Sequence, residues 1–253
     1  MRMGTHALSF PAGGVPTASA QPQRFYWQLE ALGEYLSTGD VTIGIADQWS
    51  ILLHWTPIFT DTNFRRFFHI YRSAGGNNDR IRVFQESGSG LLRFICYSSS
   101  GVVIKDCTIP GANITNVPSH LILTFDGSAG GDPLLAYLNG VPVAPTFTTD
   151  TTGTMTDSVR TLEICRPPGG LQYSVNLQDV AISNGVVSAA DAAAIYAQVR
   201  DFDPFAGLNA LHAHTPSDID DMGKDYGISG SPLDLMAFSA NVDSSDRFQG
   251  LLI

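Results

Sequence analysis

The sequence predicts an all-β protein, a sandwich or barrel of antiparallel strands, with one short helix near residues 188–200. Three observations lead to this prediction. From residue 5 to about residue 166, short apolar segments follow one another at the spacing typical of such folds. The breaks between them, such as AGGNND, SGSG and SSSG, supply residues that tolerate a positive φ in hairpin turns. One segment alone has the apolar periodicity of a helix.

The predicted strands are short and are separated by Gly, Asn, Asp or Pro. Beyond residue 204 the chain is acidic and rich in turn residues, with two further candidate strands, LNALHAH and PLDLMAFSA. The main series is YLSTGD (35–40), WSILLHWTPI (49–58), FRRFFHIYRS (64–73), RIRVFQESG (80–88), LLRFICYSSS (91–100), GVVIKDCTI (101–109), SHLILTFDG (119–127), LLAYLNG (134–140), VPVAPTF (141–147) and VRTLEICRP (159–167).

The stretch HLILTFDGSAGGDPLLAYLNGV (120–141) predicts three consecutive antiparallel strands. Alternation places Leu121, Leu123 and Phe125 on one face of the first strand. Asn139-Gly140 is a strong signal for a type I′ hairpin turn between the second and third strands. An acidic, glycine-rich loop therefore projects from one end of this small meander.

The helix is predicted from SAADAAAIYAQVR (188–200). Ser188 is a good N-cap residue, and Asp191 at the third helical position gives a start that is similar to a capping box. An apolar stripe at helical spacing then follows, formed by Ala192, Ile195, Tyr196 and Val199.

Composition and charge narrow the classes of partner. The chain has 253 residues, is 43% hydrophobic and only 15% charged, and so has enough apolar residues for a full core. Its formal net charge is −10, and the sequence contains no run of Lys and Arg, which disfavours nucleic acid and anionic membranes as partners. The N-terminus lacks the apolar region of a signal peptide, and no run of about 18 apolar residues would span a membrane. We interpret the odd set of cysteines, Cys96, Cys107 and Cys165, as free thiols of a protein folded in a reducing compartment.

Three segments carry a family likeness. HLILTFDGSAGGDPLLAYLNGVPV (120–143) resembles the part of laminin G-like and concanavalin A-like lectin domains where a strand ending in Asp-Gly precedes one ending in Asn-Gly. LSF (8–10), EYLSTGD (34–40) and QWSILLHWTPI (48–58) are similar to the opening strands of that family. LQDVAISNGVVSAADAAAIYAQ (177–198) is similar to its closing strand and short helix. The order matches over roughly residues 5–200.

This resemblance implies a concanavalin A-like jelly roll of two antiparallel sheets, which we assign to residues 1–203. Residues 204–253 form a C-terminal extension, and within it DYGISGSPLDLMAFSA (225–240) looks like a strand that usually begins such domains. It is expected to complete the sandwich in permuted order or to pair with a neighbouring subunit. Such combinations resemble bacteriophage virion proteins, a likeness of fold and not of a site.

The sequence does not favour an enzyme. Glycoside hydrolysis needs two carboxylates about 5–10 Å apart across the bond. The chain has only Glu30, Glu34, Glu86 and Glu163, and none begins the Glu-x-Asp-x-x-Glu pattern of the related glucanases. The strand TLEICRP offers one acid alone, and no Gly-x-Ser-x-Gly elbow is present.

Metal binding is considered at three places. Calcium is the ion that the family resemblance favours, and Asp126 and Asp132 of the loop DGSAGGDP could supply oxygen ligands, although a solvated hairpin loop is the preferred interpretation. The acidic segment SDIDDMGKDYG (217–227) partly resembles a calcium loop but has Met222 at the fifth place, so an acidic turn is preferred. His212 and His214 have i,i+2 spacing that a zinc site could use, without an evident third ligand. No other cofactor is expected.

Two function hypotheses follow. The first is a non-enzymatic virion structural protein, a phage capsid decoration protein assembled in the host cytoplasm. Its partners would be other virion or capsid proteins, and it would be a homo-oligomer or bound to the shell. The apolar tail residues would then pack against a partner subunit or the protein's own core, and the aromatic stretch RFYWQLE would offer a subunit or ligand surface. The interaction residues expected from this hypothesis are Trp27, Phe248, Leu251, Leu252 and Ile253.

The alternative is a carbohydrate-binding module or adhesin that recognises a neutral glycan, with calcium as an optional aid. Such a site needs an aromatic platform with polar groups beside it. Most of the available rings fall at alternating apolar positions, so core packing is the preferred interpretation for each. These rings are Trp49, Trp55, Tyr71, Tyr97 and Tyr137.

Overall fold

The protein is a two-layer β-sandwich, as the sequence predicts. The computed structural model describes residues 27–29, 35–58, 63–72, 78, 80–131, 133–156, 159–166, 173–199, 210–214 and 236–238. Every strand pair in these residues is antiparallel. No helix within the described ranges is long and apolar enough to cross a membrane.

One sheet has seven strands in the order β1-β13-β3-β8-β9-β10, with β14 also pairing with β13. Its strands are β1 (Trp27–Leu29), β3 (Gln48–Pro57), β8 (Ser119–Asp126), β9 (Leu134–Leu138), β10 (Val141–Val143), β13 (Val175–Ser183) and β14 (Ala210–His214).

The other sheet has eight strands in the order β11-β7-β6-β5-β4-β12-β2-β15. Its strands are β2 (Tyr35–Thr42), β4 (Arg65–Tyr71), β5 (Ile81–Gln85), β6 (Leu92–Tyr97), β7 (Val103–Ile109), β11 (Thr146–Asp150), β12 (Val159–Ile164) and β15 (Met236–Phe238).

The main core lies between the two sheets and follows from strand alternation. Leu121, Leu123 and Phe125 of β8 are all buried in it, as predicted. Aromatic rings link the layers: Trp49 stacks on Phe125 with ring centroids 5.5 Å apart and lies 5.9 Å from Phe94 of the opposite sheet. Each such side chain contributes about 1.5–3 kcal/mol when it leaves water.

A smaller apolar cluster covers the outer face of the seven-stranded sheet. Helix α1 (Ala189–Val199) begins after Ser188, whose hydroxyl lies 2.6 Å from Asp191 Oδ2, while the Asp191 amide donates back to that hydroxyl over 3.2 Å. This confirms the predicted N-cap and helix. The helix and the sheet enclose Leu52, Ile122, Tyr137, Ala181, Val187, Ala192 and Ile195.

The predicted Asn-Gly hairpin joins β9 to β10 and supports the helix. Asn139 and Gly140 have φ of 52° and 77°, the pair of positive values that a type I′ turn requires. The Asn139 Oδ1 atom accepts the amide of His120 over 2.9 Å. A Cβ atom at Gly140 would lie 2.9 Å from the Cβ of Tyr196, so only glycine allows α1 to approach this turn.

The cysteines and the C-terminal strands also bear on the predictions. Cys96, Cys107 and Cys165 are free and buried, in agreement with the prediction of free thiols.

β14 pairs with β13, and β15 pairs with β2 at the edge of the eight-stranded sheet. Each lies within a segment predicted to be a strand, whereas the boundary between residues 1–203 and 204–253 stays a prediction.

Candidate functional site: an arginine-rich face of the eight-stranded sheet

The outer face of the eight-stranded sheet carries a polar cluster centred on Glu163. On β12, Leu162 and Ile164 point into the core, so alternation turns Glu163 to the opposite face. The neighbouring strand β4 places His69 directly opposite Glu163 and Tyr71 two residues further along. Regular strand pairing therefore brings an acid, an imidazole and a phenol together.

Glu163 is held by several donors although its side chain is only 2% exposed. Its Oε1 atom accepts the Tyr71 hydroxyl over 2.7 Å and a hydrogen bond from the Arg166 guanidinium. Its Oε2 atom lies 3.9 Å from both Arg66 and the Nδ1 atom of His69. Burial raises the pKa of Glu163, but the contacts with His69, Tyr71 and Arg166 outweigh burial and keep the pKa below its usual value. Glu163 is therefore ionised at neutral pH.

His69 and Tyr71 stack on each other with ring centroids 4.5 Å apart. Burial lowers the pKa of His69 to about 4, and within the described part of the chain neither of its ring nitrogens has a hydrogen-bond partner. Burial and the nearby Glu163 carboxylate raise the pKa of Tyr71 to about 12. At pH 7 both rings are neutral, so the charge of the cluster comes from Glu163 and the arginines.

Three arginines continue the cluster across β4 and β5. Arg66 is 19% exposed at its side chain, and Arg80 and Arg82 are half-buried. Burial is the main cause that lowers the pKa of Arg82, and the cationic Arg80 and Arg66 lower it further. Burial also lowers the pKa of Arg66, again with Arg80 as one contributor. These guanidiniums therefore lie close enough to repel one another.

Tyrosine rings flank this group of cations on two sides. The Arg80 guanidinium lies 6.0 Å from the ring centre of Tyr97 on β6. The Arg166 guanidinium lies 5.2 Å from the ring centre of Tyr35 on β2. Both distances are within the range of a cation–π contact. We use the name arginine face for the surface formed by Arg66, Arg80, Arg82 and Arg166 with Tyr35, His69, Tyr71, Tyr97 and Glu163.

A further arginine of the same sheet is bound in a different way. Arg93 of β6 donates from Nε and an Nη atom to the two carboxylate oxygens of Asp106, each over 2.6 Å. It also donates to Glu86 over 2.5 Å. Two carboxylates therefore neutralise Arg93, and its guanidinium is committed to structure.

The predicted calcium loop is a closed hairpin at its described end. Asp126 Oδ1 accepts hydrogen bonds from Gln48 Nε2 at 2.8 Å and from the Ser128 hydroxyl and amide at 2.6 and 3.1 Å. These bonds lower the pKa of Asp126, the Ser128 hydroxyl most of all. The other proposed ligand, Asp132, lies outside the described residues. Calcium binding by this loop stays a prediction.

A second polar group lies on the seven-stranded sheet. His54 Nδ1 is 2.8 Å from Asp179 Oδ2, and the ring of His54 is 5.7 Å from that of His120. The pair fixes the orientation of the His54 ring. The described residues contain no group of three or more His, Cys, Asp and Glu that could hold a metal ion. In β14, His212 is registered opposite Ile182 and His214 opposite Val180.

The aromatic predictions are confirmed in part. Trp49, Trp55 and Tyr137 are buried, as expected for core residues. The core interpretation is wrong for Tyr71 and Tyr97, which are half-buried on the outer face of the sheet. There Tyr71 stacks on His69, and Tyr97 lies beside Arg80. Of the predicted interaction residues, Trp27 lies in β1 opposite Leu177. The predicted tail contacts of Phe248, Leu251, Leu252 and Ile253 fall outside the described residues.

The arginine face was missed because its residues are spread along the sequence. The chain has no run of basic residues, yet the fold brings Arg66, Arg82 and Arg166 onto one surface. One local signal was available, since Arg80 and Arg82 are two residues apart at the start of an alternating strand. Such spacing places both on the same face.

The fold is a lectin-like jelly-roll sandwich, in agreement with the resemblance seen in the sequence. It is similar to a native heptameric SAP-like pentraxin from Limulus polyphemus, with a TM-score of 0.50, 13% identity, and 71% of this chain and 84% of that chain covered. It is also similar to the binding domain of botulinum neurotoxin serotype D, with a TM-score of 0.50 and 10% identity, covering 68% of this chain and 42% of that one. No family model and no curated protein matches the chain. These likenesses concern the fold.

Proposed function

We propose that this chain is a carbohydrate-binding domain that holds its glycan on the arginine face. The observation that carries the proposal is the presence of Tyr71 and Tyr97 beside Arg66, Arg82 and Glu163 on one outer sheet face. Aromatic rings and convergent polar groups on a lectin-like sandwich are the two components that sugar recognition needs.

Each component has a defined task. A tyrosine ring offers an apolar face to the C–H groups of a pyranose and loses little conformational entropy on binding. Guanidinium groups donate hydrogen bonds to ring hydroxyls. The buried Glu163 accepts from Tyr71 and Arg166, so it holds this ring and this guanidinium in place before a ligand arrives.

The virion role predicted from the sequence is the second hypothesis. It depends on packing of the tail residues Phe248 to Ile253 against a partner, and these residues lie outside the described ranges. Neither the fold nor the contacts of the described residues favour it over glycan binding. Decoration of a capsid and its assembly in a host cytoplasm therefore remain predictions from sequence alone.

A glycan array tests the proposal. The purified chain should bind at least one class of oligosaccharide, and Tyr97→Ala should weaken that binding about tenfold, since an aromatic pair or stacking contact with its buried area is worth about 1–2 kcal/mol. The matched control is Tyr196→Ala, which removes a half-buried ring from α1 on the opposite side of the molecule.

Two outcomes would contradict the proposal. One is a clean array, with and without calcium, for a protein that is shown to be folded by circular dichroism. The other is a glycan whose binding is weakened by Tyr196→Ala but left unchanged by Tyr97→Ala. The thermal unfolding of each variant should be measured alongside, so that a loss of fold is not taken for a loss of contact.

A further inference from the structure

We propose that the glycan recognised by the arginine face is acidic, and that its carboxylate binds between Arg66 and Arg82 while its sugar ring packs on Tyr97. This inference rests on the proposed function and goes beyond it, because the sequence alone suggests a neutral glycan. It is based on the charges of the described residues around this surface.

The pairing of charges on the arginine face is uneven. Arg66 and Arg166 share a single carboxylate, Glu163. Arg82 has the cationic Arg80 and Arg66 as neighbours, and no carboxylate is among the groups that shift its pKa. Within the described residues, Arg82 forms no ion pair with an acid.

Arg66 and Arg82 differ from Arg93 of the same sheet in their hydrogen bonds. Two carboxylates, Asp106 and Glu86, neutralise Arg93 through three short hydrogen bonds. In the described structure, the Nε atoms of Arg66 and Arg82 are buried without any hydrogen-bond partner. One sheet thus holds a fully paired arginine on β6 and, on the next two strands β5 and β4, two arginines whose buried Nε groups make no hydrogen bond within the described residues.

The guanidinium groups of this surface also match a carboxylate in geometry. A guanidinium offers a planar fork of donors that fits a planar carboxylate in a bidentate geometry. Arg66 keeps 19% of its side chain exposed and Arg166 keeps 47%, so an anion can approach the group from solvent. The net charge of −10 does not prevent this, because charges beyond the Debye length of about 8 Å are largely screened at physiological ionic strength.

The experiment uses cellobiose with cellobiouronic acid, which differ only in a carboxylate, and lactose with sialyllactose, which has one additional carboxylated sugar. Binding to the full chain is measured by calorimetry at about 50 and 300 mM salt. We expect the acidic member of at least one pair to bind about tenfold or more tightly, because a hydrogen bond to a charged group is stronger than one between neutral groups. The advantage should shrink at the higher salt concentration.

Two variants test whether the arginine face causes the preference for the acidic sugar. Arg82→Gln should abolish most of the preference for the acidic sugar, while weaker binding of the neutral member persists. Arg93→Gln removes the same formal charge from the same sheet and should leave the preference intact, since its guanidinium is already paired. Melting temperatures establish that each variant is folded.

The outcomes separate this inference from the proposed function. Equal binding of both members, with loss in Tyr97→Ala, would overturn the acidic preference and leave glycan binding standing. An acidic preference that survives Arg82→Gln would also overturn the inference, because the carboxylate would then bind elsewhere. Binding of sulfated glycans without any carboxylated one would overturn the assignment of a carboxylate. Absence of all glycan binding would overturn both proposals.

Discussion

The two sheets of this sandwich use their outer faces in opposite ways. The outer face of the seven-stranded sheet is apolar under α1, where Leu52, Ile122 and Ile195 are buried together. The outer face of the eight-stranded sheet carries charged and aromatic side chains around Glu163. The first face gains stability by excluding water, whereas the second holds cations close together at a cost to stability.

This difference separates a face that contributes to folding from the face that we propose as a ligand surface. Helix α1 covers part of the first face through hydrophobic burial. On the arginine face, repulsion between Arg66, Arg80 and Arg82 is tolerated, which is typical of a surface selected for binding rather than for stability.

Removal of apolar volume under the helix should be the most damaging change. Ile122→Ala should lower the free energy of unfolding by about 3–4 kcal/mol, because a cavity forms between β8 and α1. Leu135→Ala is the control, since Leu135 lies on the neighbouring strand and is 44% exposed. Urea unfolding should show a much smaller change for Leu135→Ala. Equal effects for both variants would mean that the helix does not seal this face.

The arginine face should make the protein sensitive to acid. Burial lowers the pKa of His69 to about 4 from an unfolded value near 6.5. Between these two pH values the unfolded state therefore binds a proton that the folded state does not bind. Stability is therefore unaffected above pH 6.5 and falls by about 3 kcal/mol as the pH drops from 6.5 to 4. Glu163 contributes at lower pH, because contacts hold its pKa below the usual value.

One variant isolates the contribution of His69 to the pH dependence of stability. In His69→Gln, the slope of unfolding free energy between pH 6.5 and 4.5 should flatten relative to the wild type. Chemical denaturation at several pH values measures it. An unchanged slope in this variant would show that His69 titrates normally in the folded protein.

The β9–β10 turn links the helix-covered face to its helix. Gly140→Ala should cost about 2 kcal/mol, because Gly140 has φ of 77° and a new Cβ would meet Tyr196. Gly88→Ala is the matched control: its φ is 89°, but nothing lies within 4 Å of the added Cβ. The difference in melting temperature between the two variants isolates the contact with α1. Equal melting temperatures for the two variants would mean that α1 lies further from the turn.

The smallest predicted effects compare two arginines of one sheet. Arg93→Gln should lower stability by about 1 kcal/mol, because it leaves Asp106 and Glu86 without their partner. Arg82→Gln should leave stability unchanged or raise it slightly, because it removes a desolvated cation next to two others. Thermal unfolding at low salt measures both. A clear loss of stability in Arg82→Gln would mean that this residue is structural.

Much of the fold could be predicted because its signals are local. Alternation predicts the faces of β8, Asn139-Gly140 predicts the turn between β9 and β10, and Ser188 with Asp191 predicts the start of α1. Each signal lies within a few residues of the feature that it predicts.

The candidate site could not be predicted because it depends on the order of strands. β12 enters the eight-stranded sheet between β4 and β2, which brings Glu163 beside His69, almost a hundred residues away. Alternation alone shows that Arg82 points outward, but not that Arg66 and Arg166 share its surface. The sequence also does not show on which face of β6 the ring of Tyr97 lies, because one face of this strand is in the core and the other is not.

We propose that the outer face of the eight-stranded sheet binds the ligand. The most direct measurement is an NMR titration of the labelled full chain with the strongest glycan from the array. We predict that amide shifts concentrate on β4, β5, β6 and β12, around Arg66, Arg82, Tyr97 and Glu163. Shifts confined to β8, to the loop that follows Asp126 or to α1 would contradict the account.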